Sequence, residues 1–126
     1  MNFIDSMLKF LGQKSVVISD SGSSNDLHWI KYADGTAKIY GTVDYNAGTG
    51  TVLAGTNNTV YYKSLSVLIP IALTSIDNID TSLKGSAGTL TVGEVEGSVL
   101  NMVVTRFGNS NIGSGQVNLN IKGKWK

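Results

Sequence analysis

The stretch that most constrains the fold is "HWIKYADGTAKIYG", residues 28–41. Two runs alternate apolar and polar residues and meet at Asp34-Gly35. A period of two sends successive side chains to opposite faces of a strand. Asp-Gly between two such runs is the strongest short-range signal for a β-hairpin. In the first arm His28, Ile30 and Tyr32 share one face, while Trp29, Lys31 and Ala33 share the other. In the second arm Ala37, Ile39 and Gly41 oppose Thr36, Lys38 and Tyr40. A chain built around this hairpin belongs in an antiparallel sheet.

The remainder after Gly12 reads the same way. "SVVIS" (15–19) is a short apolar run, and "SDSGSSND" (19–26) reads as a turn-rich loop. Residues 45–58 form a glycine-rich stretch with room for a short strand at 51–54. "TVYYKSLSVLIPIAL" (59–73) reads as a long strand whose Pro70 marks an end, bulge or edge, because proline cannot donate to a ladder. Another short strand is expected within 75–85, with Asp77 and Asp80 in a turn. Segments 89–97, 98–108 and 116–126 complete the set. Short strands separated by turn signals predict an all-β, antiparallel sandwich or jelly-roll-like domain over residues 13–126.

Residues 1–12 differ from the rest. Ile4, Leu8 and Leu11 fall at the spacing of a coiled-coil seam, and Gly12 suits a helix C-cap. A helix this short is unstable alone, so its apolar side needs either its own domain or identical helices from other chains. The segment lacks a basic n-region and carries Asp5 and Lys9, so it reads as part of the mature chain, or of a fragment beginning at this methionine, and not as a signal peptide. No apolar run reaches membrane-spanning length.

Composition narrows function. Ten basic and nine acidic residues leave a formal charge of +1, which lacks the basic face that nucleic acid requires. Serine, threonine, asparagine and glycine make up 51 of the 126 residues. The polar surface is therefore mostly uncharged hydroxyl and amide, the groups that bond sugars and line loops. There is no cysteine and one histidine, His28, which lies outside any triad motif. Glu94 and Glu96, or Asp77 and Asp80, could in principle serve a glycosidase. A solvated sheet face and ordinary turn chemistry explain them more simply. "DSGSSND" has oxygen ligands but no following glutamate of the kind that completes a calcium loop. "NNT" (57–59) is a formal glycosylation sequon with no secretory context. No enzyme activity, cofactor or metal is expected.

The aromatic residues point elsewhere. Trp29, Tyr32, Tyr40, Tyr45, Tyr61 and Tyr62 concentrate in the first half among Asn, Ser and Asp. Aromatic faces and neighbouring amides together make sugar pockets, although strands also favour Tyr and Trp for packing. Loops 20–27, 44–58 and 108–115 are the candidate binding regions. Within and beside them Tyr45, Asn57, Asn58, Tyr61 and Asn109 are the expected saccharide contacts.

Three blocks of the chain resemble the C-terminal receptor-binding domains of phage tail fibres and baseplate proteins. "SGSSNDLHWIKYADGTAKIYG" looks like their Ser/Gly/Asn loop, aromatic strand, ADGT turn and Gly-ended strand. "VLIPIALTSIDNID" is similar to their Pro-Ile-x-Phe/Leu-Thr-Ser segment, and "VNLNIKGKWK" resembles their closing aromatic strand. Asp77 departs from the pattern where a proline is common, and the chain ends in "NIKGKWK" without a Trp-x-Ala-Ile run. The resemblance implies a homotrimeric, non-enzymatic head at the tail tip of a virion, made in the bacterial cytoplasm. Such a head would be joined to other tail or baseplate proteins and would recognise host surface polysaccharide. It also implies that three copies of Ile4, Leu8 and Leu11 close a short trimeric stem, and that Asp34-Gly35 is a structural turn. The alternative role is a trimerisation or folding cap for a longer fibre.

Overall fold

The Asp34-Gly35 hairpin forms where the alternation places it, and the chain around it is all β. The computed structural model describes residues 17–85 and 88–126. Among these, nine strands run in the order β1 (Ile18–Ser24), β2 (Leu27–Tyr32), β3 (Thr36–Thr49), β4 (Thr51–Val52), β5 (Val60–Leu68), β6 (Ser75–Lys84), β7 (Thr89–Glu96), β8 (Val99–Phe107) and β9 (Asn111–Lys124). The expected helix with Ile4, Leu8 and Leu11 lies outside the described residues.

At the hairpin turn the Gly35 N–H donates to the Tyr32 carbonyl at 3.0 Å. Gly35 has φ +97, a region that a Cβ makes costly. The Asp34 carboxylate accepts the Thr36 hydroxyl at 2.6 Å and the Thr36 N–H at 2.9 Å. These bonds, the hydroxyl's first, hold the Asp34 carboxyl below its ordinary range. The turn is also a docking point. The Trp125 N–H donates to the Gly35 carbonyl at 2.9 Å, and the Trp125 indole N–H donates to the Tyr32 carbonyl at 2.8 Å.

A second hairpin precedes the first and corrects the sequence reading. Residues 19–26 read as a loop, yet most of them form β1, which pairs with β2 from Ser24 opposite Leu27 outward. Asn25 and Asp26 have φ 51 and 68, the paired left-handed conformation of a type I′ turn, which these two residue types tolerate. β1 is an exposed edge strand of polar residues, so no apolar alternation announces it.

Two antiparallel sheets result, with strand orders β1-β2-β3-β9-β6 and β4-β5-β8-β7. β3 pairs with β9 and β5 with β8, while β6 flanks β9 and β7 flanks β8. This is a long hairpin rolled so that its arms supply both layers. Leu27, Ala37, Ile39, Val117, Leu119 and Ile121 from the first sheet join Val67, Leu100 and Met102 from the second in one buried cluster. Each fully buried side chain of this kind contributes about 1.5–3 kcal/mol. The hairpin's inward residues are Leu27 and Trp29 from the first arm and Ala37 and Ile39 from the second, the latter two being one of the faces that the alternation separates.

The long run at 59–73 stops at Leu68 as a strand. Residues 69–74 then carry the chain from one sheet to the other, with Ile69 and Ile71 buried and Pro70 between them. "SIDNIDTSLK" is also longer than expected. It forms all of β6, so Asp77 and Asp80 lie in a strand and not in a turn. The register shifts between Ile76 and Asn78, which makes Asp77 the extra residue of a bulge. The bulge breaks the two-residue period and hides the strand from a pattern reading. Gly123 stands opposite, where a Cβ would collide with the Ser75 carbonyl oxygen.

Candidate functional site

One end of the molecule gathers most of the loop residues expected to contact sugar. The Gly50 N–H donates to the Ser110 carbonyl and the Gly108 N–H to the Thr59 carbonyl, each at 2.7 Å. Loops 53–59 and 108–110 therefore lie side by side. Asn57 and Asn58 are exposed with φ 57 and 61, and the Thr59 N–H closes their turn on the Thr56 carbonyl at 3.2 Å. Asn109 is exposed, and its Oδ1 accepts the Asn111 N–H at 2.9 Å. Tyr61 is half-buried on β5 opposite Arg106, whose guanidinium donates to the Asn111 carbonyl at 2.6 Å. Tyr45 sits inward of this end, opposite Gly115 and packed on both apolar clusters, with its hydroxyl buried and unpaired. Asn57, Asn58, Asn109 and Tyr61 are thus brought to one end, while the Tyr45 phenol is turned away from solvent. Leu53, just past β4, lies beside Val60 of β5, which pairs with Phe107 of β8, and Phe107 is 75% exposed.

The outward face of the five-stranded sheet holds a different assembly. Along β9, Val117, Leu119 and Ile121 point into the core, so Gln116, Asn118, Asn120 and Lys122 point out. Register places each between partners on β3 and β6. Asn118 lies between Thr42 and Ser82, and Asn120 between Tyr40 and Asp80. Lys122 lies between Lys38 and Asn78. The Thr42 hydroxyl donates to Asn118 Oδ1 at 2.8 Å, and Asn118 Nδ2 donates to Ser82 Oγ at 3.2 Å. Gln116 Nε2 donates to Asp44 at 2.8 Å.

The middle row differs from its neighbours. Tyr40 is 37% exposed, with the His28 ring 5.3 Å away on one side and the Lys38 ammonium 5.3 Å from its centroid. Asp80 Oδ2 accepts Asn78 Nδ2 at 3.0 Å. Asn120 Oδ1, between them, is buried without a hydrogen-bond partner. A recess of about 250 Å³ opens beside it, lined by Asp80, Ser82, Asn118 and Asn120. Sequence reasoning did not single out this row. The signal was present in "QVNLNIKG", where every outward position between apolar ones carries an amide or a lysine. His28 serves here as a ring neighbour of Tyr40. Glu94 and Glu96 are exposed on β7.

No protein-family model matches the chain, and no curated protein matches it. Among solved structures, the fold is similar to the R1 pyocin fibre of P. aeruginosa in a structure comprising its C-terminal residues 323–701. The TM-score is 0.56 at 16% identity, over 98% of this chain and 32% of that one. The chain thus spans about a third of the fibre structure it matches, and the likeness is one of fold. An N-truncated R1-type pyocin tail fibre superposes with a TM-score of 0.44 at 16% identity, covering 98% of both chains.

Proposed function

We propose that the chain is a non-enzymatic receptor-binding domain of a phage or prophage tail fibre or baseplate protein. In this reading it acts as a homotrimer at the tail tip of the virion and recognises a saccharide of the host cell surface. The observation that carries the reading is the fold likeness to a tail fibre, which extends over 98% of the chain. The three sequence blocks that resemble phage receptor-binding domains support it independently. The chemistry of the surface agrees, since outward hydroxyls, amides and partly exposed tyrosines suit a neutral, hydroxylated ligand. Single contacts of this kind are weak, and several copies on one particle supply avidity.

The test is a titration of the labelled chain against purified bacterial surface polysaccharides and intact cells. Saturable binding that free polysaccharide competes away supports the reading; no binding to any polysaccharide or cell contradicts it. A second reading, a folding cap within a longer fibre, is favoured by the match to only 32% of the R1 fibre chain. The two separate in an adsorption assay. An isolated receptor-binding domain competes with the phage or pyocin for its host, whereas a cap leaves adsorption unchanged.

A further inference from the structure

We propose that the saccharide site is the outward face of the five-stranded sheet, centred on Tyr40, Asn120 and Asp80, and not the loop end. The inference rests on the receptor-binding reading and names the surface that would carry it. Three observations converge on this row.

The first is register. Tyr40, Asn120 and Asp80 are direct neighbours on three adjacent strands, so an aromatic face, an amide and a carboxylate stand side by side at about 5 Å intervals. A sugar ring offers an apolar face to an aromatic ring and hydroxyls around its rim, and this row offers a partner for each. The second is the unmet acceptor. Asn120 Oδ1 is buried and unpaired, which is rare and costly, and a turn of the amide into the recess that Asn120 lines would offer this acceptor to a ligand hydroxyl. Asp80 adds capacity. Asn78 occupies Oδ2 alone, leaving lone pairs for a neighbouring hydroxyl. The third is preorganisation. Asn118 is fixed by Thr42 and Ser82, and Tyr40 is flanked by His28 and Lys38, so little side-chain freedom remains to be lost on binding. At the loop end the one unmet buried group is the Tyr45 hydroxyl, which is turned inward among the apolar clusters, while Asn109 Oδ1 is engaged in its own turn and Asn57 and Asn58 are turn formers.

The experiment presents the full chain to an array of bacterial O-chain, capsular and wall glycans, beside four variants. Tyr40→Ala removes the platform, Asp80→Asn keeps shape while removing charge, and Tyr40→Phe keeps the ring. A double Asn57→Gly, Asn58→Gly variant changes the loop end without straining its left-handed backbone. Thermal unfolding confirms that each folds. The expected result is a fall in affinity of about tenfold for Tyr40→Ala and for Asp80→Asn, the worth of one or two hydrogen bonds or a ring contact. Tyr40→Phe and the loop variant stay within about twofold of the unsubstituted chain on the same scale. If the loop variant loses binding while Tyr40→Ala and Asp80→Asn keep it, this inference is overturned and the receptor-binding reading stands. If the unsubstituted chain binds no glycan, both fall.

Discussion

Trp125 is where the end of the chain is fastened to its opening hairpin, and truncating it tests that fastening. The indole packs on the core edge and donates to the Tyr32 carbonyl at 2.8 Å, with the Lys31 ammonium 5.2 Å from its ring. Full burial makes a Trp→Ala change cost about 3–5 kcal/mol; Trp125 is half-buried, so about 2 kcal/mol is assigned to packing. The indole hydrogen bond adds about 1 kcal/mol. Trp125→Ala is therefore expected to lose about 3 kcal/mol, which for a domain of this size lowers Tm by about 10 °C. Trp125→Phe keeps a ring and forfeits the hydrogen bond, a loss of about 1 kcal/mol and about 3 °C. Urea and thermal unfolding followed by circular dichroism measure both, and the m-value should not change. If both variants unfold within about 1 °C of the unsubstituted chain, the contacts to Tyr32 and Gly35 do not hold the chain end, and the reasoning fails.

Three other outcomes follow from the same geometry. Ile121→Ala, at a fully buried position of the shared core, should cost about 2–5 kcal/mol in urea unfolding. The Thr36 hydroxyl, and then its N–H, hold the folded-state pKa of Asp34 below the ordinary 3.8, so its stabilisation is present above 3.8 and is lost as pH falls from there through the depressed folded-state value. Acid unfolding of Asp34→Asn should therefore show a shallower loss of stability below pH 3.8 than the unsubstituted chain. Light scattering should report about three times 13.3 kDa for the full chain, loosening when residues 1–12 are removed; a monomer in both cases would oppose the trimeric part of the proposal.

The parts of the fold that were legible are those where alternation is unbroken. The separation of Ala37 and Ile39 from Lys38 and Tyr40 follows from "TAKIYG", whereas in "VLNMVV" both faces carry valines and only the fold puts Leu100, Met102 and Val104 inside. Asp34-Gly35 was readable because its turn chemistry is local. The misread parts lost their period for identifiable reasons. β1 is a polar edge strand that buries almost nothing, and β6 carries a bulge at Asp77 that shifts the phase of its apolar residues. The site was less legible than the fold. Asn57, Asn58, Asn109 and Tyr61 do meet at one end, because loops that follow paired strands must lie together. The Tyr40–Asn120–Asp80 row joins residues distant in sequence, and only the β3–β9 and β9–β6 registers bring them side by side.

The most direct measurement is an amide chemical-shift titration of the chain with the glycan that gives the strongest array signal. Shifts concentrated at Tyr40, Asn118, Asn120, Asp80 and Ser82, saturating with one affinity, are the expected result. Saturable shifts confined to residues 53–59 and 108–110 would move the site to the loop end, and the absence of any shift would contradict saccharide recognition itself.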